Sequence, residues 1–214
     1  MVTKIGSSSP AEAFELLIEG NRRFVAGAPE HPNQDAARRA QVAPGQRPFA
    51  VLFGCSDSRL AAEIIFDRGL GDLFVVRTAG HVVGSEVLGS IEYGVDVLGC
   101  PLVVVLGHDS CGAVGAACSV LEHGMVPIGY VRDVVERVTP SVLAARAAGR
   151  MTPDEILAEH VAHSVDLLLD RSRVLADQVE FGHVAVVGLR YSLADGSAEI
   201  VAARGLDVIA DSPS

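Results

Sequence analysis

The chain has 214 residues, of which 49% are hydrophobic and 21% are charged. This composition is typical of a globular domain with a sizeable core and excludes a disordered chain. The 27 acidic residues outnumber the 17 basic ones and give a net charge of −10, which argues against a nucleic-acid-binding surface. We predict a single domain, with residues 1–47 as an N-terminal helical arm and residues 48–214 as an α/β core.

The sequence shows no sign of export or of membrane insertion. No apolar stretch is long enough to cross a bilayer, and residues 1–14 lack the apolar region of a secretion signal. Four cysteines outside a secretory context indicate free thiols, metal ligands or catalytic groups rather than disulfides. We therefore expect a cytoplasmic protein with neither nucleic acid nor membrane among its partners.

The first predicted element is a capped helix. Ser9-Pro10-Ala11-Glu12 forms a capping box with proline at the first helical position. An apolar stripe then follows helical spacing as far as Gly27, and it consists of Phe14, Leu17, Ile18 and Val25. Residues 28–47 are rich in proline and polar residues, with one short helix expected near residues 35–41.

Three short apolar runs follow, at residues 49–53, 73–76 and 102–106. They are continuous rather than alternating, which is typical of strands buried on both faces. Helical patterns at residues 61–66 and 86–98 separate them. Strands that alternate with helices predict a mostly parallel sheet with right-handed crossovers.

The remainder of the chain is predicted to be mostly helical before two final strands. Thr152-Pro153-Asp154-Glu155 is a second capping box and opens a long helix. Residues 184–189 form a further strand, and the Asp195-Gly196 turn leads into a last one, expected as an antiparallel edge. The predicted fold class is α/β, a mostly parallel central β-sheet with an antiparallel edge strand, flanked by helices.

Three candidate metal ligands follow two of the predicted strands. Cys55 comes directly after the first apolar run, and His108 and Cys111 follow the third. The carboxyl ends of parallel strands meet at one edge of a sheet, where open α/β folds place their sites. Two thiolates and an imidazole suit zinc, and three protein ligands leave the fourth position open, as in a catalytic site.

The residues alone leave other interpretations open. The two cysteines could instead be small buried hydrophobic residues, with His108 as a capped loop histidine. Cys55 could instead be a nucleophile with His108 as its base, although this leaves Cys111 without a role. A non-catalytic zinc-binding regulatory module is the third alternative.

Several other reactive residues are interpreted as structural. Cys100 and Cys118 lie in apolar surroundings and are predicted to be inert. His160 and His163 share a helix face, but no third ligand accompanies them, so packing is the better explanation. Arg77 either pairs with an acid or supports the pocket.

Two segments give the chain its resemblance to a known family. Cys55-Ser56-Asp57-Ser58-Arg59 and His108-Asp109-Ser110-Cys111-Gly112 resemble the two signatures of the β-class carbonic anhydrases, in the right order and spacing. The similarity extends from about Phe14 to Val201 and includes "FVVRTAGH" and "GSIEYGV".

The resemblance implies a zinc lyase that interconverts carbon dioxide and bicarbonate, with one zinc ion per chain held by Cys55, His108 and Cys111. Asp57 and Arg59 would form a catalytic dyad beside the metal, and Asp57 would become a zinc ligand at lower pH. In relatives a glutamine nine residues before the first cysteine binds substrate, often from the partner subunit. That position is Gln46 here.

Further expectations also rest on the resemblance. The other residues at pocket-lining positions are Phe74, Ala79, Tyr93 and Gly112. The chain should form a homodimer or a dimer of dimers, in which a protruding helix from Pro10 to Ala26 packs on a partner subunit.

Two properties occur in only some members of the family, an inhibitory bicarbonate site and the hydrolysis of carbon disulfide. Some bacterial members have an inhibitory bicarbonate site that needs a tryptophan three residues before the first cysteine. Leu52 occupies that position here, and Tyr191 alone would not restore the site. Other relatives hydrolyse carbon disulfide on the same zinc set, which is the alternative activity.

Overall fold

The computed structural model describes residues 9–206, which form a five-stranded sheet flanked by helices. The sheet order is β2-β1-β3-β4-β5. Its first four strands are mutually parallel, and β5 runs antiparallel to β4. The strands are β1 (Ala50–Cys55), β2 (Leu73–Thr78), β3 (Leu102–His108), β4 (Ala185–Tyr191) and β5 (Ala198–Arg204). The predicted fold class is confirmed.

The helices of the described residues agree with the predicted segments at most positions. They are α1 (Pro10–Val25), α2 (Ala36–Val42), α3 (Ala62–Ile65), α4 (Ser85–Glu92), α5 (Gly112–His123), α6 (Val131–Ala147), α7 (Pro153–Arg171) and α8 (Arg173–Glu180). Both predicted capping boxes are present, at Ser9 and at Thr152. The helix expected over residues 86–98 is shorter, because α4 ends at Glu92 and a π-helical turn, Tyr93–Val97, continues it.

The central strands are buried on both faces, as their continuous apolar runs predicted. Every residue of β1 and of β3 is buried, whereas the edge strand β2 is partly exposed. Helix α7 covers β3 and β4 at close range. A Cβ atom on Gly107 of β3 would lie 2.3 Å from the Val161 side chain, and one on Gly188 of β4 would lie 2.7 Å from it. Glycine at these two positions therefore allows the helix to approach the sheet.

Part of the apolar stripe of α1 packs against its own chain. Leu17 is fully buried, and the amide of Asn21 donates to the carbonyl oxygens of Ile65 and Gly196. A Cβ atom on Gly20 would lie only 1.8 Å from the Phe66 carbonyl oxygen. This face of α1 meets the segment after α3 and the β4–β5 turn, whereas Val25 at the end of the stripe is 47% exposed. Contact of α1 with a partner remains a prediction.

Two expectations concern the ends of the chain and the membrane. The expectation of no secretion signal concerns residues 1–14, and residues 1–8 of that segment lie outside the described residues. Between residues 9 and 206, no helix is both long and apolar enough to span a bilayer.

The close approach of α1 to its own chain predicts opposite effects for two glycine-to-alanine substitutions. Gly20→Ala should lower the free energy of unfolding by about 1–3 kcal/mol, because its methyl group must push α1 away from Phe66. Gly89→Ala, at an exposed position of α4 with no atom within 4 Å, should raise it by about 0.5–1 kcal/mol through helix propensity. Urea unfolding at one protein concentration measures both, and a Gly20→Ala variant as stable as Gly89→Ala would refute the packing.

Candidate metal centre

Two neighbouring strand ends bring three candidate ligands together. Cys55 is the last residue of β1, His108 is the last residue of β3, and Cys111 caps the amino end of α5. Since β1 and β3 are paired in parallel, their carboxyl ends lie side by side. All three residues are buried, and their ligand atoms lie within 4.8 Å of one another. The predicted convergence is confirmed.

The imidazole of His108 is oriented for metal binding. Its Nδ1–H donates to the Asp109 carbonyl oxygen at 2.7 Å, because a carbonyl can only accept. The other ring nitrogen, Nε2, is therefore an acceptor, and it is buried without a hydrogen-bond partner among residues 9–206. Leaving such an atom unpaired costs about 1–3 kcal/mol. A zinc ion bound to both sulfurs and Nε2 fits this donor set and removes that cost.

The protein also favours thiolate at Cys55. Interaction with the Cys111 thiol is the largest influence on Cys55 and lowers its pKa to about 4 despite burial. The same interaction raises the pKa of Cys111. The backbone N–H of Gly80 donates to Cys55 Sγ at 3.3 Å. Thiolate is the form that binds metal, so the site is prepared for a cation.

Asp57 lies beside the ligands and is paired with Arg59. Arg59 Nε donates to Oδ1 at 2.9 Å and Nη2 donates to Oδ2 at 2.7 Å, a bidentate pair. The guanidinium holds the pKa of Asp57 well below its usual range. Oδ2 also lies 3.8 Å from Nε2 of His108. The carboxylate therefore borders the candidate metal position and is held by the arginine.

Arg77 supports the backbone beside the ligands and does not pair with an acid of the described residues. These are the two alternatives that the sequence left open. It lies on β2 opposite Gly54, and its side chain reaches past the end of β1. Its Nε donates to the Cys55 carbonyl oxygen at 2.9 Å, and its Nη2 donates to that of Asp57 at 2.5 Å. Arg77 thus fixes the backbone that carries both a ligand and the dyad carboxylate, without pairing with either side chain.

The structure separates the predicted pocket residues into two groups. Ala79 follows Thr78, the register partner of Cys55, and Gly112 follows Cys111, so both adjoin the ligands. The remaining three lie toward the opposite end of β1, and they are Gln46, Phe74 and Tyr93. Gln46 is exposed and precedes that strand, and the rings of Phe74 and Tyr93 lie 6.0 Å apart between centroids.

The length of β1 determines what the second group can do. Phe74 pairs with Val51 near the start of the strand, whereas Cys55 ends it. At about 3.3 Å per residue, four residues separate these positions by roughly 13 Å, and Gln46 is further away. These three side chains therefore do not form a pocket with the ligands of their own chain.

The other singled-out cysteines and histidines lie outside the ligand cluster. The Cys100 thiol donates to the Pro48 carbonyl oxygen at 3.3 Å, and burial raises its pKa to about 12. Burial also raises the pKa of Cys118. His160 is buried in the core, as predicted, and makes hydrogen bonds to Gly80 and Ser141. Leu52 is likewise buried in the core.

Comparisons with known proteins agree with this arrangement. A family model described as carbonic anhydrase matches residues 50–198. "Carbonic anhydrase 2" of Mycobacterium tuberculosis is 57% identical over 192 residues, covering 90% of this chain and 93% of that protein. The carbonic anhydrase of Mycolicibacterium smegmatis is 58% identical over 194 residues, covering 91% and 94%.

Solved structures extend the similarity to the fold. The β-carbonic anhydrase CafA of Aspergillus fumigatus aligns with a TM-score of 0.67 at 26% identity, over 88% of this chain and 91% of that one. One of two tetrameric β-carbonic anhydrases of Sordaria macrospora aligns with a TM-score of 0.69 at 21% identity, over 88% and 96%, which bears on the fold alone. The family model spans more than half of the chain and the mycobacterial relatives match nearly all of it, so the chain belongs to the carbonic anhydrase family, in its β class.

Proposed function

We propose that the protein catalyses the reversible hydration of carbon dioxide to bicarbonate and a proton, with one zinc ion per chain. The observation that carries the proposal is the buried Cys55–His108–Cys111 cluster, in which Nε2 of His108 has no other partner in the described part of the chain. When bound, zinc supplies Lewis acidity and lowers the pKa of its water. The bidentate bond from Arg59 keeps Asp57 off the metal, so a fourth position stays open.

The dyad would orient the reacting groups. Because Arg59 keeps Asp57 ionised, the carboxylate only accepts hydrogen bonds. Its Oδ2 lies 3.8 Å from Nε2 of His108. It is therefore close enough to the open position to accept a hydrogen bond from a group bound there. Asp57 would thus turn the nucleophile's lone pair toward the carbon of carbon dioxide.

Two further residues would bind the anionic product. Gly112 is the first residue of α5, where backbone N–H groups are free of intrahelical bonds and the helix dipole favours an anion. Gln46 would supply a side-chain amide from a partner subunit. These donors suit bicarbonate and leave carbon dioxide, which is uncharged, free to enter.

Neither alternative chemistry is favoured by the geometry. A cysteine nucleophile needs one thiol beside the base, whereas both Cys55 and Cys111 face the imidazole. A purely structural zinc site would need a fourth protein ligand, and Arg59 holds the nearest carboxylate. Carbon disulfide hydrolysis would use the same zinc set, and assaying both substrates on one preparation separates the two activities.

We further propose that the working form is a homo-oligomer in the cytoplasm. Gln46, Phe74 and Tyr93 lie too far from their own ligands to complete that site, which a second chain could do. The segment from the end of α5 to the first residue of α6 exposes large apolar side chains typical of a contact surface, namely Met125, Val126, Ile128, Tyr130 and Val131. All four cysteines are free, as in a reducing compartment, and cell fractionation tests the location.

Substitution of the three ligands should remove zinc and activity together. Cys55→Ala, His108→Ala and Cys111→Ala each delete one donor of the cluster, and the two that remain should not retain the ion. Elemental analysis and stopped-flow hydration assays on the same samples measure both properties. Cys100→Ala and Cys118→Ala are the matched controls and should keep one zinc per chain. Full activity in a metal-free preparation would refute the zinc mechanism.

Removal of Arg59 should let Asp57 bind the metal. Two thiolates already balance the charge of zinc, so its water should be less acidic than the pKa of about 7 in a three-histidine site. A carboxylate competes best with that water at lower pH, and Arg59 opposes the competition. In Arg59→Ala the pH of half-maximal hydration should therefore rise.

Cobalt-substituted protein gives an independent measurement of the same change, because its visible absorption reports the fourth ligand. The Arg59→Ala spectrum should keep its low-pH form to a higher pH than the unmodified protein does. Arg132→Ala removes an exposed arginine that pairs with Glu136, and it should change neither property. An unshifted profile in Arg59→Ala would contradict the role of the pair.

Two inactive variants should restore activity when they share an oligomer. Cys55→Ala lacks a metal ligand, and Gln46→Ala lacks the amide offered to the neighbour. In a mixed dimer, the Gln46→Ala chain keeps its ligands and receives Gln46 from the other chain. One of its two sites is then complete, so about half of the normal activity should return. Co-expression with two affinity tags isolates this species, and an inactive mixed dimer would contradict the shared site.

A further inference from the structure

Gly80 lies in a short turn after β2, Ala79–His81, and connects the ligand Cys55 to the buried His160. Its N–H donates to Cys55 Sγ at 3.3 Å, and its carbonyl oxygen accepts from His160 Nε2 at 2.9 Å. His160 Nδ1 lies 2.9 Å from the hydroxyl of Ser141. Both His160 and Ser141 are buried, and they come from α7 and α6. Two helices thus reach a zinc ligand through a single glycine.

The tautomer of His160 follows from its two partners. The Gly80 carbonyl can only accept, so Nε2 carries the proton and Nδ1 accepts from the Ser141 hydroxyl. Burial lowers the pKa of His160 to about 4, so the ring is neutral at neutral pH. The imidazole thereby supplies one donor and one acceptor, and both are used.

Gly80 needs support on both sides. Its backbone is left-handed, with φ of 63° and ψ of 22°, and a Cβ atom would lie 2.5 Å from that of Ala113. The N–H and the carbonyl group of Gly80 belong to the two peptide units that flank its Cα. His160 fixes the unit after Gly80 while Cys55 accepts from the unit before it. Loss of the histidine would leave a buried carbonyl unpaired and free the turn to rotate.

We propose that His160, anchored by Ser141, is a positioning residue for the zinc ligand Cys55. Through Gly80 it holds the amide that donates to Sγ, and so it limits the negative charge that this thiolate gives to the metal. Hydrogen bonds around first-sphere ligands tune the metal in this way, and hydrogen bonds to sulfur do so in thiolate-bound iron clusters. The inference rests on the proposed zinc site, but not on the reaction that the zinc performs.

The test compares three variants of the full-length protein. His160→Leu removes the donor and the acceptor, whereas the amide of His160→Gln can replace both. His163→Leu changes the neighbouring histidine of the same helix and serves as the control. The first measurement is the sulfur-to-cobalt charge-transfer absorption of cobalt-substituted protein, which reports electron density on the thiolates. The second is the pH of half-maximal carbon dioxide hydration.

We expect His160→Leu to move the charge-transfer band to longer wavelength, because the thiolate becomes richer in electrons. The pH midpoint should rise by about half a unit, a threefold change in the proton equilibrium, because the metal is then less acidic. His160→Gln should restore both values, and His163→Leu should leave both unchanged. Ser141→Ala, which only loosens His160, should shift the band in the same direction by less.

Three outcomes would overturn the inference. The first is an unshifted charge-transfer band in folded, metal-loaded His160→Leu. The second is a band and pH midpoint in His160→Gln that are shifted as far as in His160→Leu, which would indicate ring packing rather than hydrogen bonding. If His160→Leu does not fold, an unshifted band in Ser141→Ala refutes the inference instead. The band needs no turnover. The expected band shift in His160→Leu, together with an unmodified protein that does not hydrate carbon dioxide, would therefore refute the proposed function alone.

Discussion

The parallel pairing of β1 with β3 is the constraint on which the metal centre depends. Gly54 pairs with Leu106, so each strand delivers its candidate ligand one or two residues later at the same edge of the sheet. A register shift of one residue would move one strand end by about 3.3 Å relative to the other and turn the shifted side chains to the opposite face, which would disrupt the ligand cluster. Both faces of these strands are buried and closely packed, as at Gly107 against Val161, so such a shift would force larger side chains into the space next to glycine. Core packing therefore fixes the geometry of the chemistry.

Burial of negative groups at this edge requires compensation, and the chain supplies it locally. Arg59 pairs with Asp57, and the Gly80 amide donates to Cys55. Cys111 lies at the amino end of α5, where the helix dipole favours a thiolate. Arg77 binds backbone carbonyls next to the site and adds a positive charge without neutralising a ligand. These contacts leave the pair of thiolates and the imidazole available to a dication.

The sequence predicted the parts of the structure that depend on local pattern. Continuous apolar runs indicated buried parallel strands, the two capping boxes located α1 and α7, and the ends of the runs pointed to the three ligands. The spacing of Cys55, His108 and Cys111 carried little information alone, and convergence followed only from the expected parallel pairing. The two complete family signatures added the roles of Asp57 and Arg59.

What the sequence missed depends on distances between elements. The sequence did not show that Gly20 lets α1 pack against the Phe66 backbone of its own chain. Arg77 and His160 make their decisive contacts with backbone carbonyls, which no side-chain motif records. Phe74 and Tyr93 were expected at pocket positions from the resemblance, and only the strand direction shows that they lie toward the end of β1 away from their own ligands. Periodicity specifies the buried face of an element and not the atoms that it meets.

X-ray absorption at the zinc edge of the unmodified protein tests the central claim most directly, because it counts the atoms bound to the metal. The structure predicts two sulfur neighbours at about 2.3 Å and one imidazole nitrogen at about 2.0–2.1 Å, with one further light atom. Four sulfur neighbours, or a shell of nitrogen and oxygen alone, would contradict the assignment of Cys55, His108 and Cys111 as the ligands of an open catalytic zinc site.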